Sequence, residues 1–312
     1  MNRRHALSLL AATPLIPGLA RAETAAQGRL VEHPAVASTH VQPRDVTVWL
    51  PPGYDAQPDA RWPVLYMHDG QNLFDPARAP FGEWCVDEHL TRLAPTGQIR
   101  TPIVVGVHNT PLRLREYVPA DLIAALPDDM RDEVQAIYGG PPLSDGYLRF
   151  LVEELKPFID RTYRTRPDRD DTAVMGSSMG ALISLYAVMK HPAVFGSAGC
   201  LSTHWPLKVD SLGDDAAAIA AWRERLVAAW TGVIRDGLPA PTDHRLYFDR
   251  GDETLDAFYA EFQSVVDATI RDLGWPPDRF RSLVFPGAQH NEASWNQRLD
   301  VPLTFLFPPA QS

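Results

Sequence analysis

Short apolar runs that end in turn-forming residues alternate with helix-length segments along most of this 312-residue chain. The runs are DVTVWLPPGY, WPVLYMHDG, TPIVVGVHN, TAVMG, GSAGCLS, HRLYFDRG and RSLVFPG. Several are apolar throughout, which is typical of strands that are buried on both faces of a parallel sheet. The segments between them, such as residues 145–163 and 255–274, place apolar side chains at helical spacing. We therefore predict an α/β fold with a mostly parallel central sheet and helices on both faces.

The first residues, MNRRHALSLLAATPLIPGLARAE, have the layout of an export signal. A basic start is followed by an apolar run at residues 6–20 and by the cleavage pattern Ala20-Arg21-Ala22. The apolar run is too short to cross a bilayer. We predict a signal peptide at residues 1–22 and a single domain at residues 23–312, exported to the periplasm or secreted. No membrane anchor is expected after cleavage, and both the Sec and the twin-arginine routes stay open.

Charge and cysteine content narrow the function classes. The net charge of −10 and the pI near 5.4 argue against a partner that is nucleic acid or an anionic membrane surface. The sequence has no Cys/His spacing typical of a zinc site and no glycine-rich phosphate loop, so we predict neither a metal nor a cofactor. Whether Cys85 and Cys200 form a disulfide stays open, as does the oligomeric state.

A glycine-rich corner, Gly176-Ser177-Ser178-Met179-Gly180, follows one apolar run and precedes a helical segment. This is the G-x-S-x-G pattern, in which the central serine occupies a strained turn flanked by small residues. The start of the helix brings the free amide of Met179 beside the serine oxygen, where a developing oxyanion would lie. A nucleotide-binding turn would need G-x-G-x-x-G or a P-loop lysine, and neither is present. We predict that Ser178 is a nucleophile, that the Met179 amide belongs to its oxyanion hole, and that Ser177 is structural.

A serine nucleophile needs a histidine base, and the base needs a carboxylate that orients it. In an α/β fold of this type the chain order is serine, acid, histidine. His290 follows the last apolar run and lies where this order places the base. His204 follows another run and is a candidate for lining the pocket, whereas His244 begins a strand and is expected to pack.

The acid is expected in the loop after HRLYFD. Asp249 still lies in the strand and is expected to form an ion pair. Asp256, Glu253 and Asp252 all fall in the loop, and the sequence leaves the choice among them open. Our order of preference is Asp256, then Glu253, then Asp252.

Five segments resemble the esterase D-like branch of the putative esterases, a family of α/β-hydrolases: VLYMHDGQNLFD, GVHNTPLRLREYVP, VMGSSMGALISLY, YFDRGDETLDAFY and GAQHNEASW. The resemblance runs from about Asp45 to the C-terminus and implies an α/β-hydrolase fold. It implies that the backbone amide of Gln71 joins Met179 in the oxyanion hole, with Asp69 and Gly70 shaping the turn. The length of the acid loop differs from that of several relatives.

The resemblance also bears on the residues around the pocket. Asn109, Arg115, Glu116 and Tyr117 match a family pattern near the site, and a buried Arg115–Glu116 pair that holds the loop is an alternative role. We expect Trp295 to pack beside the histidine loop and Glu292 to hold that loop in place. Three tryptophans are expected either to line a cap over the site or to pack an outer helix: Trp205, Trp222 and Trp230.

Together these residues predict a serine carboxylic-ester hydrolase that acts on a small-molecule or carbohydrate ester, with Ser178 as nucleophile and His290 as base. One alternative is an acyltransferase that uses the same residues to acylate a sugar or another alcohol. Another is a relative that binds a ligand without catalysis, because a fold does not dictate an activity.

Overall fold

A central sheet of eight strands organises the computed structural model, which describes residues 28–208 and 215–309. The strands are β1 (Arg29–Val36), β2 (Arg44–Leu50), β3 (Val64–His68), β4 (Ile103–Val107), β5 (Thr172–Ser177), β6 (Ser197–Leu201), β7 (Arg245–Arg250) and β8 (Phe280–Val284). Their order across the sheet is β1-β2-β4-β3-β5-β6-β7-β8. The strands from β4 to β8 in this order pair in parallel, whereas β1 and β2 are antiparallel at one edge. The predicted α/β fold with a mostly parallel sheet is confirmed.

Helices fill the connections between the strands. They are α1 (Val86–Leu93), α2 (Arg113–Tyr117), α3 (Ala120–Ala125), α4 (Asp128–Tyr138), α5 (Ser144–Arg149), α6 (Lys156–Thr162), α7 (Met179–Lys190), α8 (Ala216–Gly237), α9 (Ala260–Asp272), α10 (Glu292–Arg298) and α11 (Asp300–Leu306). A π-helical stretch, Phe150–Leu155, joins α5 to α6. Short 3₁₀ turns lie at Gly70–Asn72, Ala94–Thr96, Arg169–Asp171 and Thr254–Phe258. Within the described ranges, no helix combines the length and apolarity that a membrane crossing requires.

The sheet is covered on both faces, as the apolar runs predicted. Successive side chains of a strand point to opposite faces, and in β3 Val64 and Tyr66 join one apolar core while Leu65 and Met67 join the other. The first core packs against α7 and α8, and the second packs against α1 and α11. The strands are thereby held between two layers of helices, and the carboxyl ends of the parallel strands lie at one edge of the sheet.

The three tryptophans after β6 pack in the interior. Trp205, Trp222 and Trp230 are all buried and belong to the first core. The indole of Trp222 donates to the carbonyl of Pro206 and that of Trp230 donates to the carbonyl of Trp205, each at 3.1 Å. The packing interpretation therefore holds for these side chains.

The structure answers one question that the sequence left open, the state of the two cysteines, and does not test the predicted signal peptide. Cys85 and Cys200 are free thiols, and Cys200 is buried in the first core. The predicted signal peptide, residues 1–22, lies outside the described residues, so export stays a prediction.

Candidate active site

The serine corner lies where β5 meets α7. Ser178 has φ 56° and ψ −120°, and a positive φ is strained for a residue with a side chain. The Ser178 amide donates to the carbonyl of Leu201 at the end of β6, at 2.9 Å, which fixes the turn. The Ser178 side chain lines a cleft of about 380 Å³. The local backbone is therefore that of a strained turn that presents a hydroxyl to an open space.

Close packing inside this corner explains its first glycine. A Cβ at Gly176 would lie 2.8 Å from the carbonyl carbon of Gly180, which is too short for a non-bonded contact. A Cβ at Gly180 would lie 3.3 Å from the Cβ of His68, a milder crowding. The steric reason inferred from the sequence thus applies strongly to Gly176 and weakly to Gly180.

His290 reaches the same cleft from the loop after β8. Its Nδ1 lies 2.6 Å from Oδ1 of Asp256, a fully buried residue of the 3₁₀ turn after β7. Burial disfavours the charged form of Asp256, but the hydrogen bonds from His290 and Ser202, the His290 charge and a backbone amide together lower its pKa. An ionised carboxylate can only accept hydrogen bonds, so Nδ1 of His290 carries the proton and Nε2 is left to accept one.

The other two candidate acids point elsewhere. Asp252 and Glu253 are exposed, and the Asp252 carboxylate accepts a hydrogen bond from the Gly287 amide at 2.6 Å. The backbone amides of Asp252 and Glu253 each donate to the carbonyl of Ala288 at 3.2 Å. These two residues therefore attach the acid loop to the histidine loop, while Asp256 is the one of the three whose carboxylate contacts the imidazole.

The two loops approach so closely that only glycine fits between them. A Cβ at Gly251 would lie 2.0 Å from the carbonyl oxygen of Ala288 and 3.1 Å from Oδ2 of Asp256. The Gly251 amide donates to that same Oδ2 at 2.6 Å. This contact joins the acid and the histidine into one rigid unit.

The loop after β3, which carries the predicted second oxyanion donor, is held by a charged clamp. Asp69 has a left-handed backbone, and its carboxylate accepts two hydrogen bonds from Arg113 at 2.7 Å each. The side-chain amide of Asn109 donates to the same carboxylate at 2.6 Å. The Asn109 backbone amide donates to Oε1 of Gln71 at 3.3 Å. Gln71 lines the cleft together with Ser178, so the clamp fixes the turn that carries its amide.

This clamp is an ion pair at neutral pH. Burial opposes the charge on Asp69, but the charge and hydrogen bonds of Arg113 outweigh it and lower the pKa of Asp69. Burial likewise opposes the charge on Arg113, but the Asp69 carboxylate raises its pKa. The two charges compensate each other at the floor of the cleft.

The alternative role for Arg115 and Glu116, a buried pair with each other, is not found in the structure. The Glu116 carboxylate pairs with Arg44 at 2.6 Å, and both side chains are buried. Arg115 instead donates to the carbonyl of Pro141 at 2.8 Å. The interpretation was wrong because α2 is a single short helix: Glu116 lies on its buried side, while Arg113, two residues before Arg115, reaches the cleft.

Aromatic side chains form part of the cleft wall. Phe81, Trp84 and Trp295 line it, and Phe81 is 77% exposed. The Trp295 ring stands edge-on to the His290 ring with centroids 5.1 Å apart, so it packs beside the histidine loop as expected. Glu292 accepts from the side-chain amide of Asn72 at 3.2 Å, which links the histidine loop to the loop after β3.

A second histidine lies close to the first. Nδ1 of His204 lies 2.7 Å from the hydroxyl of Tyr259, and the Tyr259 ring stands edge-on to His290 with centroids 5.6 Å apart. Burial, followed by the charges of His290 and Arg113, lowers the pKa of His204 to about 3. His204 is therefore neutral at neutral pH.

Sequence reasoning missed the residues behind Asp256. Ser202 donates to its carboxylate at 2.6 Å, and Arg298 contacts Ser202 at 2.9 Å. Asp249 does form an ion pair, and its partner is Arg298 at 2.9 Å. A signal for Ser202 was available, because it directly follows β6 and the carboxyl ends of parallel strands carry site residues in open α/β sheets.

Curated relatives match about half of this chain. Uncharacterized protein YbbA of Bacillus subtilis (strain 168) is 27% identical over 180 residues, which cover 57% of this chain and 62% of YbbA. Ferri-bacillibactin esterase BesA of the same organism is 28% identical over 155 residues, which cover 47% of this chain and 50% of BesA. Each match therefore spans less than two thirds of the relative's own length.

Solved structures share the fold over nearly the whole chain. A ferulic acid esterase superposes with a TM-score of 0.61 over 90% of this chain and 98% of its own, at 19% identity. At that identity the likeness establishes the fold, which is the α/β-hydrolase fold that the sequence resemblance implied. The family model described as "Putative esterase" matches residues 38–253, which is more than half of the sequence. The chain therefore belongs to the family of the putative esterases.

Proposed function

We propose that this protein hydrolyses carboxylic esters through an acyl-enzyme on Ser178. One observation carries the proposal: Ser178, on its positive-φ turn, and His290, fixed through Nδ1 to Asp256, line the same cleft. Strained backbone is retained at functional sites, where the surrounding structure holds it in place. Membership of an esterase family supports the same chemistry.

In the acylation step, Oγ of Ser178 forms a bond to the ester carbonyl carbon while Nε2 of His290 takes the hydroxyl proton. The carboxylate of Asp256 accepts the hydrogen bond from Nδ1 and stabilises the imidazolium that forms. The amide of Met179, at the first position of α7, has no acceptor within its own helix. It and the Gln71 amide would hold the oxyanion of the tetrahedral intermediate. Collapse of this intermediate expels the alcohol, which leaves with the proton from His290.

In the deacylation step, water attacks the acyl carbonyl and gives its proton to Nε2 of His290. The second tetrahedral intermediate collapses, the Ser178–acyl bond breaks, and the serine oxygen recovers the proton. The products are a carboxylic acid and an alcohol, and no oxidant or reductant takes part. An alcohol in place of water would give acyl transfer by the same steps.

For the substrate, we propose an ester that carries an aromatic ring. The cleft presents Phe81, which is 77% exposed, next to Trp84 and Trp295. Aromatic rings pack favourably against one another in edge-on or offset arrangements. BesA is described as a ferri-bacillibactin esterase, and a solved structure with this fold is a ferulic acid esterase.

The test compares the wild type with Ser178→Ala and Ser177→Ala on p-nitrophenyl butyrate and on methyl ferulate. We expect Ser178→Ala to lose at least about a thousand-fold in kcat, because a triad without its nucleophile retains only binding and oxyanion stabilisation. Ser177→Ala removes the adjacent hydroxyl and should retain most of the activity. A serine-directed fluorophosphonate should label the wild type and Ser177→Ala but not Ser178→Ala.

Two results would contradict the proposal. Retention of more than a few per cent of the rate by Ser178→Ala would exclude this serine as nucleophile. Absence of both labelling and hydrolysis in the folded wild type would indicate a protein that binds without catalysis. A preference for methyl ferulate over an aliphatic methyl ester supports the aromatic substrate, and product partition with added alcohols measures acyl transfer.

A further inference from the structure

We propose that Ser202 and Arg298 are positioning residues that act on the ester chemistry through Asp256. This inference rests on the proposed function, since it concerns the carboxylate that orients His290. Ser202 follows β6, Arg298 ends α10, and Asp256 lies after β7, so the three come from separate parts of the chain. All three are buried.

The hydrogen bonds of Ser202 fix where its proton points. Its Oγ lies 2.6 Å from Oδ2 of Asp256, 2.9 Å from Nε1 of Trp295 and 2.9 Å from Nη2 of Arg298. Indole and guanidinium nitrogens only donate, so they occupy the lone pairs of the hydroxyl. The single hydroxyl hydrogen is left with one acceptor, the Asp256 carboxylate. The serine is thus a donor of fixed direction.

This donor determines which oxygen of Asp256 serves His290. Oδ2 accepts from Ser202 and from the Gly251 amide, each at 2.6 Å. Oδ1 is left to accept from Nδ1 of His290 at 2.6 Å. Rotation of the carboxylate would break two charge-assisted hydrogen bonds that are stronger than neutral ones. The carboxylate plane is therefore held while the imidazole gains and loses its proton.

Arg298 is itself held from the opposite side. Its Nε and Nη2 donate to Oδ1 of Asp249 at 3.1 and 2.9 Å, and both side chains are almost completely buried. The hydroxyl of Tyr247 donates to the other oxygen of Asp249 at 2.8 Å. The Ser202 amide donates to the Asp249 carbonyl at 2.7 Å. A chain of fixed contacts thus runs from β7 through Arg298 and Ser202 to Asp256.

The series of contacts from Arg298 through Ser202 to Asp256 also has an electrostatic effect on the Asp256 carboxylate. His290 contacts the Asp256 carboxylate directly, and Asp249 and Tyr259 interact with it electrostatically. Arg298 approaches it through Ser202, and His204 lies behind Tyr259. Arg298 is the permanent positive charge among them and lies between two buried carboxylates. Its contact with Ser202 lets it polarise the hydroxyl toward Asp256, since hydrogen bonds in a chain strengthen one another.

The test removes the hydroxyl of Ser202 with two different substitutions and compares the two variants with a variant of another buried serine, Ser144. Ser202 has φ 45°, so Ser202→Gly relieves backbone strain, whereas Ser202→Ala retains it. Ser144→Ala is the matched control, because Ser144 is fully buried and its Oγ accepts a backbone hydrogen bond at 3.0 Å. We expect kcat to fall roughly ten- to a hundred-fold in both Ser202 variants, with KM little changed. This is the effect on rate that corresponds to the loss of one hydrogen bond to a charged group. Ser202→Cys, which keeps a weak donor, should lie between them and the wild type.

A second readout needs no turnover. The proton on Nδ1 of His290, in a 2.6 Å contact with a carboxylate, should give a far-downfield proton NMR signal that His290→Gln removes. We expect this signal to shift or broaden in Ser202→Gly and Arg298→Lys and to stay in place in Ser144→Ala. Activities are normalised to the fraction of molecules that a fluorophosphonate labels, so that loss of folded protein is not counted as loss of kcat.

The outcomes separate the two proposals. If kcat in both Ser202 deletions stays within about two-fold of the wild type, or the Nδ1 signal is unmoved, the positioning role is wrong. An equal loss in Ser144→Ala would also overturn it, because a buried hydroxyl anywhere would then suffice. If the wild type shows no Ser178-dependent hydrolysis, the proposed function fails, and the NMR signal still reports whether Ser202 sets the Asp256–His290 contact.

Discussion

Single residues decide which of three neighbouring acids can serve His290. Asp256 is buried and touches the imidazole, whereas Asp252 is exposed and binds the Gly287 amide. Asp256→Asn should lower kcat/KM by about three to four orders of magnitude, because an amide favours the wrong histidine tautomer. Steady-state kinetics on p-nitrophenyl butyrate measures this.

Asp252→Asn is the control for that prediction, since it makes the same chemical change earlier in the same loop. The amide oxygen of asparagine can still accept from Gly287, so we expect less than about a three-fold change. A larger loss in Asp252→Asn than in Asp256→Asn would reverse the assignment of the two acids.

The sequence predicted some of these residues and left others open for a physical reason. The position of Ser178 follows from a local pattern, because the turn, the glycines and the helix start are contiguous. The acid depends on where Ala288 meets Gly251, a contact between two loops that belong to different parts of the chain and are separated by helix α9 and strand β8. Local spacing carries no information about such a contact, so three candidates remained.

Among the elements, the loop after β3 and helix α2 are connected by an ion pair and act as one unit. Arg113 of α2 holds Asp69 with two hydrogen bonds, and Asn109 after β4 holds both Asp69 and Gln71. Arg113→Met should destabilise the fold by about 2 kcal/mol, because a partly buried carboxylate loses its partner. It should also lower kcat more than it changes KM, since the turn that we propose carries an oxyanion donor loses its support. Urea unfolding and steady-state kinetics measure the two effects.

An exposed pair provides the comparison. Arg149→Met removes a surface pair with Glu153 on the next turn of helix, and surface pairs contribute little. It should leave both stability and kcat close to those of the wild type. The double variant Asp69→Asn with Arg113→Met should regain part of the lost stability, and no recovery would mean that the pair does not act as a unit.

The same elements show where periodicity succeeds and fails. The buried strands were predicted because they are apolar throughout, which needs no knowledge of their neighbours. Helix α2 has only five residues, too few for a period to establish which face is buried. The family pattern pointed to Arg115, whereas in the fold Arg113 lines the cleft and Glu116 is buried against Arg44.

For the whole molecule, buried titratable groups make contributions of opposite sign to the pH dependence of stability. Burial, followed by the neighbouring Glu88, raises the pKa of Asp87 to about 7. The unfolded chain releases that proton near pH 4, so between about pH 4 and 7 Asp87 keeps its proton in the native state and its contribution to stability falls as pH rises. His204, whose pKa is lowered to about 3, makes a contribution of the opposite sign over most of that range. Asp69 and Asp256 have lowered pKa values, so their contribution is present above about pH 4 and is lost on further acidification.

Asp87→Asn isolates the contribution of Asp87. Asparagine cannot ionise at this position. The free energy of unfolding of the variant, relative to that of the wild type, should therefore increase as pH rises from 5 to 8. Urea unfolding at both pH values measures the difference. Asp59→Asn changes an exposed side chain and should track the wild type. A difference between Asp87→Asn and the wild type that is the same at pH 5 and pH 8 would contradict the prediction.

The tight approach of Gly251 to Ala288 has a consequence for how such a scaffold can be altered. We expect an insertion in either loop to displace Asp256 and His290 together, so that lengthening a loop to admit a bulkier ester would misalign both side chains. Engineering for new substrates should therefore start at Phe81, whose exposed side chain can be substituted with little effect on the core. Variant libraries at this position of the cleft should change which esters are preferred while Ser178, His290 and Asp256 keep their arrangement.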